Sequence, residues 1–180
     1  MTKYILKENK IITDDNVVII ESENTNQLEN LLELLNDLQS KLDYDKSGAF
    51  SRYKLTEDFK KQKWNFIYVD LNNLKTVNDT MGHVKGDEHI EAVVNLLKGY
   101  GNTYRQGGDE FVLLLDDEAL VQKFAHENYK NPYFSFGIVL KHEYENAFQA
   151  YTLADKRMYE NKFENKCLFK PEWYFLNLIK

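Results

Sequence analysis

The segment 103–115 reads Thr-Tyr-Arg-Gln-Gly-Gly-Asp-Glu-Phe-Val-Leu-Leu-Leu. Strand-like runs at 103–105 and 111–115 flank a short loop that contains two glycines, which is the pattern of an antiparallel hairpin. The loop also holds two adjacent acids, Asp109 and Glu110. Their mutual repulsion in a tight turn would be relieved by a divalent cation. This segment therefore predicts both an antiparallel hairpin and a loop that could bind a cation.

Working outward from the hairpin, short strands alternate with helices. Upstream, the pattern predicts a buried strand over 64–69, a short helix over 73–81 and a longer helix over 87–97. Downstream, it predicts a helix over 117–129, a strand over 133–140, a helix over 145–162 and a last strand over 169–176. This order predicts an α/β (α+β) sandwich, with a central, mostly antiparallel sheet flanked by helices.

Residues 1–44 read as an N-terminal extension to a domain that occupies 45–180. A small hairpin is predicted between 4–6 and 17–20, with the polar segment 13–16 as its turn. A helix follows, with leucines at helical spacing. Its heptad pattern spans only about two heptads, so packing onto its own domain is favoured over a dimerising stalk. The leucines are Leu28, Leu31, Leu32, Leu35, Leu38 and Leu42.

Composition excludes several classes of protein. With 23 basic and 29 acidic residues the net charge is −6, and Lys and Arg form no long cluster, so we expect neither nucleic acid nor an anionic membrane as partner. The longest apolar run, 111–115, is far too short to span a bilayer. A single cysteine and the lack of a visible secretion signal predict a cytoplasmic protein. A small phosphorylated ligand stays compatible with this charge.

Asp70 follows the predicted strand 64–69, so its carboxylate lies at the strand's C-terminal end. In open α/β sheets this is the edge where ligands bind. If Asp70, Asp109 and Glu110 lie on neighbouring strands, they form an oxygen-rich site suited to Mg²⁺ and a nucleoside triphosphate.

Four segments, in order and in spacing, resemble the motifs of the GGDEF family, the diguanylate cyclases. The segment 104–111 (YRQGGDEF) resembles the signature loop of that family, and 70–87 resembles its second motif, D-x-D-x-F-K-x-x-N-D-x-x-G-H-x-x-G-D. The segment 134–138 (FSFGI) is similar to its S-x-G strand, and 154–162 (ADKRMYENK) to its A-D-x-A-(L/M)-Y-x-A-K helix. Together the motifs cover roughly residues 45–166 and are far more specific than a lone GGDEF string.

The resemblance implies a palm-like fold shared with nucleotide cyclases, and the condensation of two GTP into cyclic di-GMP and pyrophosphate. Each subunit of a homodimer would hold one GTP, and each ribose 3′-oxygen would attack the α-phosphorus of the other. By position, Asp70, Asp109 and the carbonyl of Leu71 match the family's metal ligands, with Glu110 completing the charge. Asp109 also matches the residue that assists deprotonation of the 3′-hydroxyl. The implied cofactor is Mg²⁺ or Mn²⁺, which accept the same hard oxygens.

The resemblance also implies a set of substrate-binding positions. Asn78 and Asp87 match the guanine-reading residues, and a carboxylate suits guanine because it accepts from N1–H and N2–H, whereas it would repel the N1 lone pair of adenine. The positions that match phosphate-binding residues are Lys75, Lys162 and Lys166. The remaining expected contacts with substrate are Asn72, Asn73, Leu74, Gly107 and Gly108.

The chain also departs from the family pattern. Asn72 stands where a second aspartate is usual and Leu74 where Phe is usual, and 45–52 is an incomplete version of D-x-L-T-G-L-x-N-R. The segment 98–101 (KGYG) replaces the R-x-x-D of the inhibitory product site, so feedback inhibition there is not expected.

These departures keep two alternatives open. One is a degenerate module that binds GTP or a partner protein without turnover. The other is a related cyclic-dinucleotide synthase of altered nucleotide choice. The N-terminal extension is itself a candidate site for a protein partner.

Overall fold

The structure of the chain, a computed structural model, describes residues 4–13, 18–22 and 24–165. The predicted strand over 169–176 and Lys166 therefore lie outside the described residues. The chain divides into two compact units, with the boundary between Tyr44 and Asp45. Within the described residues, no helix is both long and apolar enough to cross a membrane.

The first unit begins with a three-stranded antiparallel sheet of β1 (Ile5–Lys7), β2 (Lys10–Ile12) and β3 (Val18–Glu21), in that spatial order. The prediction of a single hairpin between 4–6 and 17–20 is thus wrong, because β2 pairs with both other strands. The reason is local: Glu8 and Asn9 both take positive φ values, 48° and 59°. Two such residues close a tight turn that places Lys10 opposite Lys7.

The leucine-rich helix α1 runs over Thr25–Asp43, and its N-cap residue Asn24 accepts a hydrogen bond from the backbone N–H of Gln27. Leu28 is buried, whereas about half of the surface of Leu34, Leu38 and Leu42 is exposed. These three leucines recur every four residues and so form one exposed stripe. Packing of α1 onto its own domain stays a prediction, and a dimerising stalk stays the alternative to it.

The second unit is built on a four-stranded sheet whose neighbouring strands are all antiparallel, in the order β5-β6-β4-β7. The hairpin predicted over 103–115 is confirmed as β5 and β6, and the predicted α+β fold with it. In chain order the elements are α2 (Arg52–Phe59), β4 (Asn65–Leu71), α3 (Leu74–Met81), α4 (His83–Lys98), β5 (Asn102–Gly107), β6 (Glu110–Leu115), α5 (Glu118–Glu127), β7 (Phe134–Val139) and α6 (Ala147–Asn165).

Helices cover both faces of this sheet, and the alternation of side chains along β4 assigns each residue to a face. Ile67, Val69 and Leu71 belong to the core formed with α3, α4 and α5. Phe66 and Tyr68 belong to the core formed with α2 and α6. By the same alternation Asp70 points to the α2/α6 face.

Helix α2 is absent from the prediction because its sequence, RYKLTEDF, is mostly polar. Its polar residues are partly buried: Lys54 and Asp58 form an ion pair at 3.0 Å, and the Tyr104 hydroxyl donates to Asp58 at 2.8 Å. Burial opposes ionisation of Asp58, but hydrogen bonds from Lys61, Tyr104 and Lys54 outweigh it and lower the pKa of Asp58. Because these buried positions hold paired charges rather than apolar side chains, the sequence of α2 lacks the apolar periodicity by which a helix is predicted.

Helix α4 also begins earlier than predicted, at His83 rather than Asp87. Gly82, with φ of 85°, separates α3 from α4 in a conformation that glycine tolerates.

Candidate active site

The register of the sheet places three polar side chains in one row. Asp70 on β4 is directly opposite Glu110 on β6 and Ser135 on β7. Partners across antiparallel strands point to the same face, so all three face α2 and α6. The row lies where β4 ends and where the β5–β6 turn begins, which is the edge that the sequence predicted for the site.

Gly108 and Asp109 form the turn between β5, which ends at Gly107, and β6, which begins at Glu110. Gly108 has φ of 45°, a left-handed conformation that is unfavourable for most other residues. Its carbonyl accepts from the Arg105 guanidinium at 2.8 Å, and the carbonyl of Asp109 accepts from the backbone N–H of Leu71 at 2.9 Å. The second bond joins the turn to the end of β4, so Asp109 and Leu71 are held next to each other through their backbones.

Lys162 on α6 pairs directly with Asp70. Burial raises the pKa of Asp70, Lys162 opposes that rise, and the neighbouring charges of Asp109 and Glu110 add to it. The sequence-predicted acids thus influence one another, and Lys162 supplies a positive charge among them.

Two contacts hold α6 against the sheet. The Asn161 side chain accepts from the backbone N–H of Phe136 at 3.0 Å. Gly137 lets the helix approach closely: a Cβ at that position would lie 1.9 Å from the Ala154 carbonyl oxygen. The position of Lys162 depends on this contact between α6 and β7.

Asn72, Asn73 and Leu74 form the connection from β4 to α3. Asn72 is buried, accepts from the Ser135 hydroxyl at 2.9 Å and donates to the Pro132 carbonyl at 3.3 Å. Asn73 takes a left-handed φ of 60° and caps α3 without a side-chain hydrogen bond. The Leu74 side chain is buried in the core, so only its backbone is available to a substrate.

Asn78 and Asp87 lie on α3 and α4, which pack on the other face of the sheet from Asp70 and Glu110. The Asn78 amide lies over Gly86, where a Cβ would be only 1.9 Å from its Oδ1. Asp87 is exposed and lines a small cavity of about 150 Å³ together with Lys46 and Arg105. Lys75 is exposed on α3. A ligand that touches both groups of residues must therefore cross the end of β4.

Three supporting residues were not predicted as part of the site. Arg105 pairs with Asp45 at 3.1 Å and thereby links the turn to segment 45–48. Tyr68 lies close to Glu110, and burial together with this carboxylate raises the pKa of Tyr68. Ser135 holds Asn72. Tyr68 could have been predicted, because it is two residues from Asp70 on β4 and side chains at that spacing point to the same face of a sheet. Nothing in the local sequence indicates the contacts of Arg105 and Ser135.

The donor atoms have the chemistry that a hard divalent cation requires. Asp70, Asp109, Glu110 and the Leu71 carbonyl offer only oxygens, as Mg²⁺ and Mn²⁺ prefer. Among the residues that the structure describes, no three His, Cys, Asp or Glu side chains are grouped closely enough to hold an ion. The donor atoms thus match the chemistry of the ion, but their side chains are not grouped into a closed site, and Lys162 pairs with Asp70. The predicted metal site stays a prediction.

Comparisons with known proteins agree with this fold. The model of the family described as "Diguanylate cyclase, GGDEF domain" matches residues 50–166. A probable diguanylate cyclase of Escherichia coli, DgcI, is 37% identical over 78 residues, covering 39% of this chain and 18% of DgcI. A diguanylate cyclase of Vibrio cholerae is 31% identical over 108 residues, covering 52% of this chain and 31% of that protein. The chain thus spans less than a third of each of these two relatives.

Solved structures are similar as well. The coiled-coil and GGDEF domain of Caulobacter crescentus DgcB, in complex with c-di-GMP, has a TM-score of 0.67 at 18% identity, covering 78% of this chain and 91% of that one. The diguanylate cyclase SiaD of Pseudomonas aeruginosa, in complex with its activator SiaC, has a TM-score of 0.58 at 21% identity, covering 78% and 66% of the two chains. At these identities the likeness concerns the fold.

Proposed function

This chain belongs to the GGDEF family, and we propose on that basis that it condenses two molecules of GTP into cyclic di-GMP and two of pyrophosphate. In each of two equivalent steps a ribose 3′-oxygen loses its proton and bonds to the α-phosphorus of the other nucleotide, while the bond to pyrophosphate breaks. The observation that carries this proposal is the register that sets Asp70 opposite Glu110, beside the turn at Gly108 and Asp109.

The candidate residues form two groups, as expected if one group binds the base of a nucleotide and the other binds its phosphates. The residues on α3 and α4, Asn78 and Asp87, would bind guanine through its N1–H and N2–H donors. The acids and Lys162 lie across the end of β4, where the triphosphate would extend. The first turn of α3 has backbone N–H groups that no side chain caps, and such groups favour an anion.

A bound Mg²⁺ or Mn²⁺ would acidify the attacking hydroxyl and neutralise charge on the leaving pyrophosphate. Asp70, the Leu71 carbonyl, Asp109 and Glu110 would hold it. Asp109 would also assist removal of the 3′-hydroxyl proton. Lys162 would move from Asp70 to the phosphates, because the cation then neutralises the carboxylate. Each chain offers one such site, so the reaction requires two chains to face each other as a homodimer.

A second function, GTP binding without turnover, is favoured by one observation. Asn72, at the position of the family's second aspartate, accepts from Ser135 and donates to Pro132. Its amide is neutral, so it adds no negative charge for a cation.

Product analysis by mass spectrometry after incubation with labelled GTP or ATP and either cation separates these functions. We expect cyclic di-GMP from GTP, none from ATP, and a loss of at least about 100-fold in Asp109→Ala. Glu118→Ala, which removes an exposed acid at the start of α5, is the matched control and should retain full activity. GTP binding with equal inertness of wild type and Asp109→Ala would support the second function instead, and an adenine-containing product would overturn the choice of GTP.

A further inference from the structure

A second cavity lies apart from the residues proposed to bind GTP. It is a groove of about 420 Å³ between α2, the first turns of α6 and the end of β5. This volume lies in the range of small-molecule sites. Its walls are mainly apolar and come from Leu55, Phe59, Ala147 and Tyr151. The GTP site as proposed uses none of these residues.

Fixed aromatic rings form part of the wall. The Tyr151 ring meets Phe66 edge-on at 4.8 Å, and its hydroxyl donates to the side-chain oxygen of Gln106 at 3.0 Å. Phe59 stacks on Tyr144 at 5.7 Å and meets Phe66 edge-on at 5.9 Å. Rings held on several sides offer a preformed, flat apolar surface, which favours a planar ligand.

Gln106 presents an unsatisfied donor at this groove. It lies where the pairing of β5 with β6 shifts register, between Arg105 and Gly107. Such bulges redirect side chains. Its Nε2 is buried and makes no hydrogen bond to any of the described residues. A buried amide N–H without an acceptor destabilises the fold, and an acceptor on a ligand would satisfy it.

The charge of the groove favours an anion. Arg52 and Lys60 line it, and no acidic residue of the described part of the chain does. Lys60 pairs with Glu57 at 3.3 Å, whereas Arg52 forms no ion pair with the described residues. A guanidinium that no described residue pairs with, beside an apolar wall, suits a singly charged, planar carboxylate, which it binds through two parallel hydrogen bonds. A phosphate dianion would lose more hydration in such surroundings.

From these observations we propose that the groove binds a small aromatic carboxylate. The ring of the ligand contacts the wall formed by Phe59 and Tyr151, and its carboxylate accepts hydrogen bonds from Arg52 and, once the Gln106 amide turns toward the groove, from Gln106. Because Gln106 directly precedes Gly107, this ligand is bound at the base of the turn that carries Asp109. The site is separate from the proposed GTP site and does not depend on the proposed reaction.

The test is calorimetric titration of the full chain with 2-naphthoate, and with the uncharged 2-naphthamide as the matched probe. We expect 2-naphthoate to bind, and Arg52→Gln to weaken it about 10-fold or more, the effect of a lost charge-assisted hydrogen bond. Binding of 2-naphthamide should be unchanged by Arg52→Gln. Ala147→Leu, which fills the groove, should weaken both probes, and Lys156→Gln on α6, outside the groove, should weaken neither.

Arg52 is exposed, so its substitution decides the matter even if Ala147→Leu fails to fold. The proposal is overturned if 2-naphthoate does not bind, or if Arg52→Gln and Ala147→Leu bind it as wild type does. It is overturned as well if Asp87→Ala abolishes binding, because the probe would then occupy the nucleotide site. Retained binding in Asp87→Ala supports the separate groove.

Discussion

At the scale of single residues, the site depends on close approaches that only small side chains allow. Asn78 lies against Gly86, with no room for a methyl group between them. Gly86→Ala should therefore turn the Asn78 amide away while leaving α4 intact, because alanine is the better helix former.

We expect the KM for GTP to rise about 10-fold in this variant, the effect of one lost hydrogen bond to the base. Thermal unfolding should change little. Asn95→Ala, on an exposed part of the same helix, is the control for steady-state kinetics. A Gly86→Ala enzyme with unchanged KM would show that the Asn78 amide does not bind the substrate.

At the scale of elements, α6 is the helix that brings Lys162 to the acids, and an ion pair holds it. Arg157 on α6 donates to Glu143 at 2.7 Å and to the Ile138 carbonyl at 2.6 Å. The Arg157 hydrogen bond lowers the pKa of Glu143 to about 2 from an ordinary value of 4.5. A carboxylate whose pKa is lower in the folded chain stabilises it above its unfolded pKa, and this stabilisation disappears as the pH falls towards the folded value.

Glu143→Gln should therefore reduce the free energy of unfolding at pH 7, and the difference from wild type should vanish between about pH 4.5 and pH 2. Urea unfolding across this range measures the difference. Glu145→Gln, two residues further on, serves as the control with the same chemical change. A difference that persists undiminished at the lowest pH would mean that the Glu143 charge is not its cause.

At the scale of the whole molecule, only the second of the two units contributes described residues to the candidate site. Both core clusters, and every candidate residue that the structure describes, belong to the part of the chain that begins at Asp45. A fragment of residues 45–180 should thus unfold in one cooperative transition and bind GTP with an affinity within about threefold of the full chain. Circular dichroism melting and calorimetry test this. A broad, non-cooperative melt would show that residues 1–44 are needed for the fold.

Much of this molecule is evident from local pattern. The β5–β6 hairpin follows from two apolar runs around paired glycines, and α6 follows from its helical length and spacing. The sequence motifs around Asp70 and Asp109 are sufficient by themselves to indicate the family. The first-unit hairpin was predicted wrongly, because a two-residue turn at Glu8 and Asn9 lacks the glycine that usually signals one.

The sequence by itself determined the order of strands and helices from β4 to α6 and the identity of the acids, since these depend on periodicity and on residues close together in the chain. Tertiary structure alone decided that Lys162 pairs with Asp70, 92 positions away. It also decided that Asn72 accepts a hydrogen bond from Ser135 and that α2 buries an ion pair. Each of these depends on contacts between distant segments, whose energies arise only once the chain has folded and water has been excluded between them.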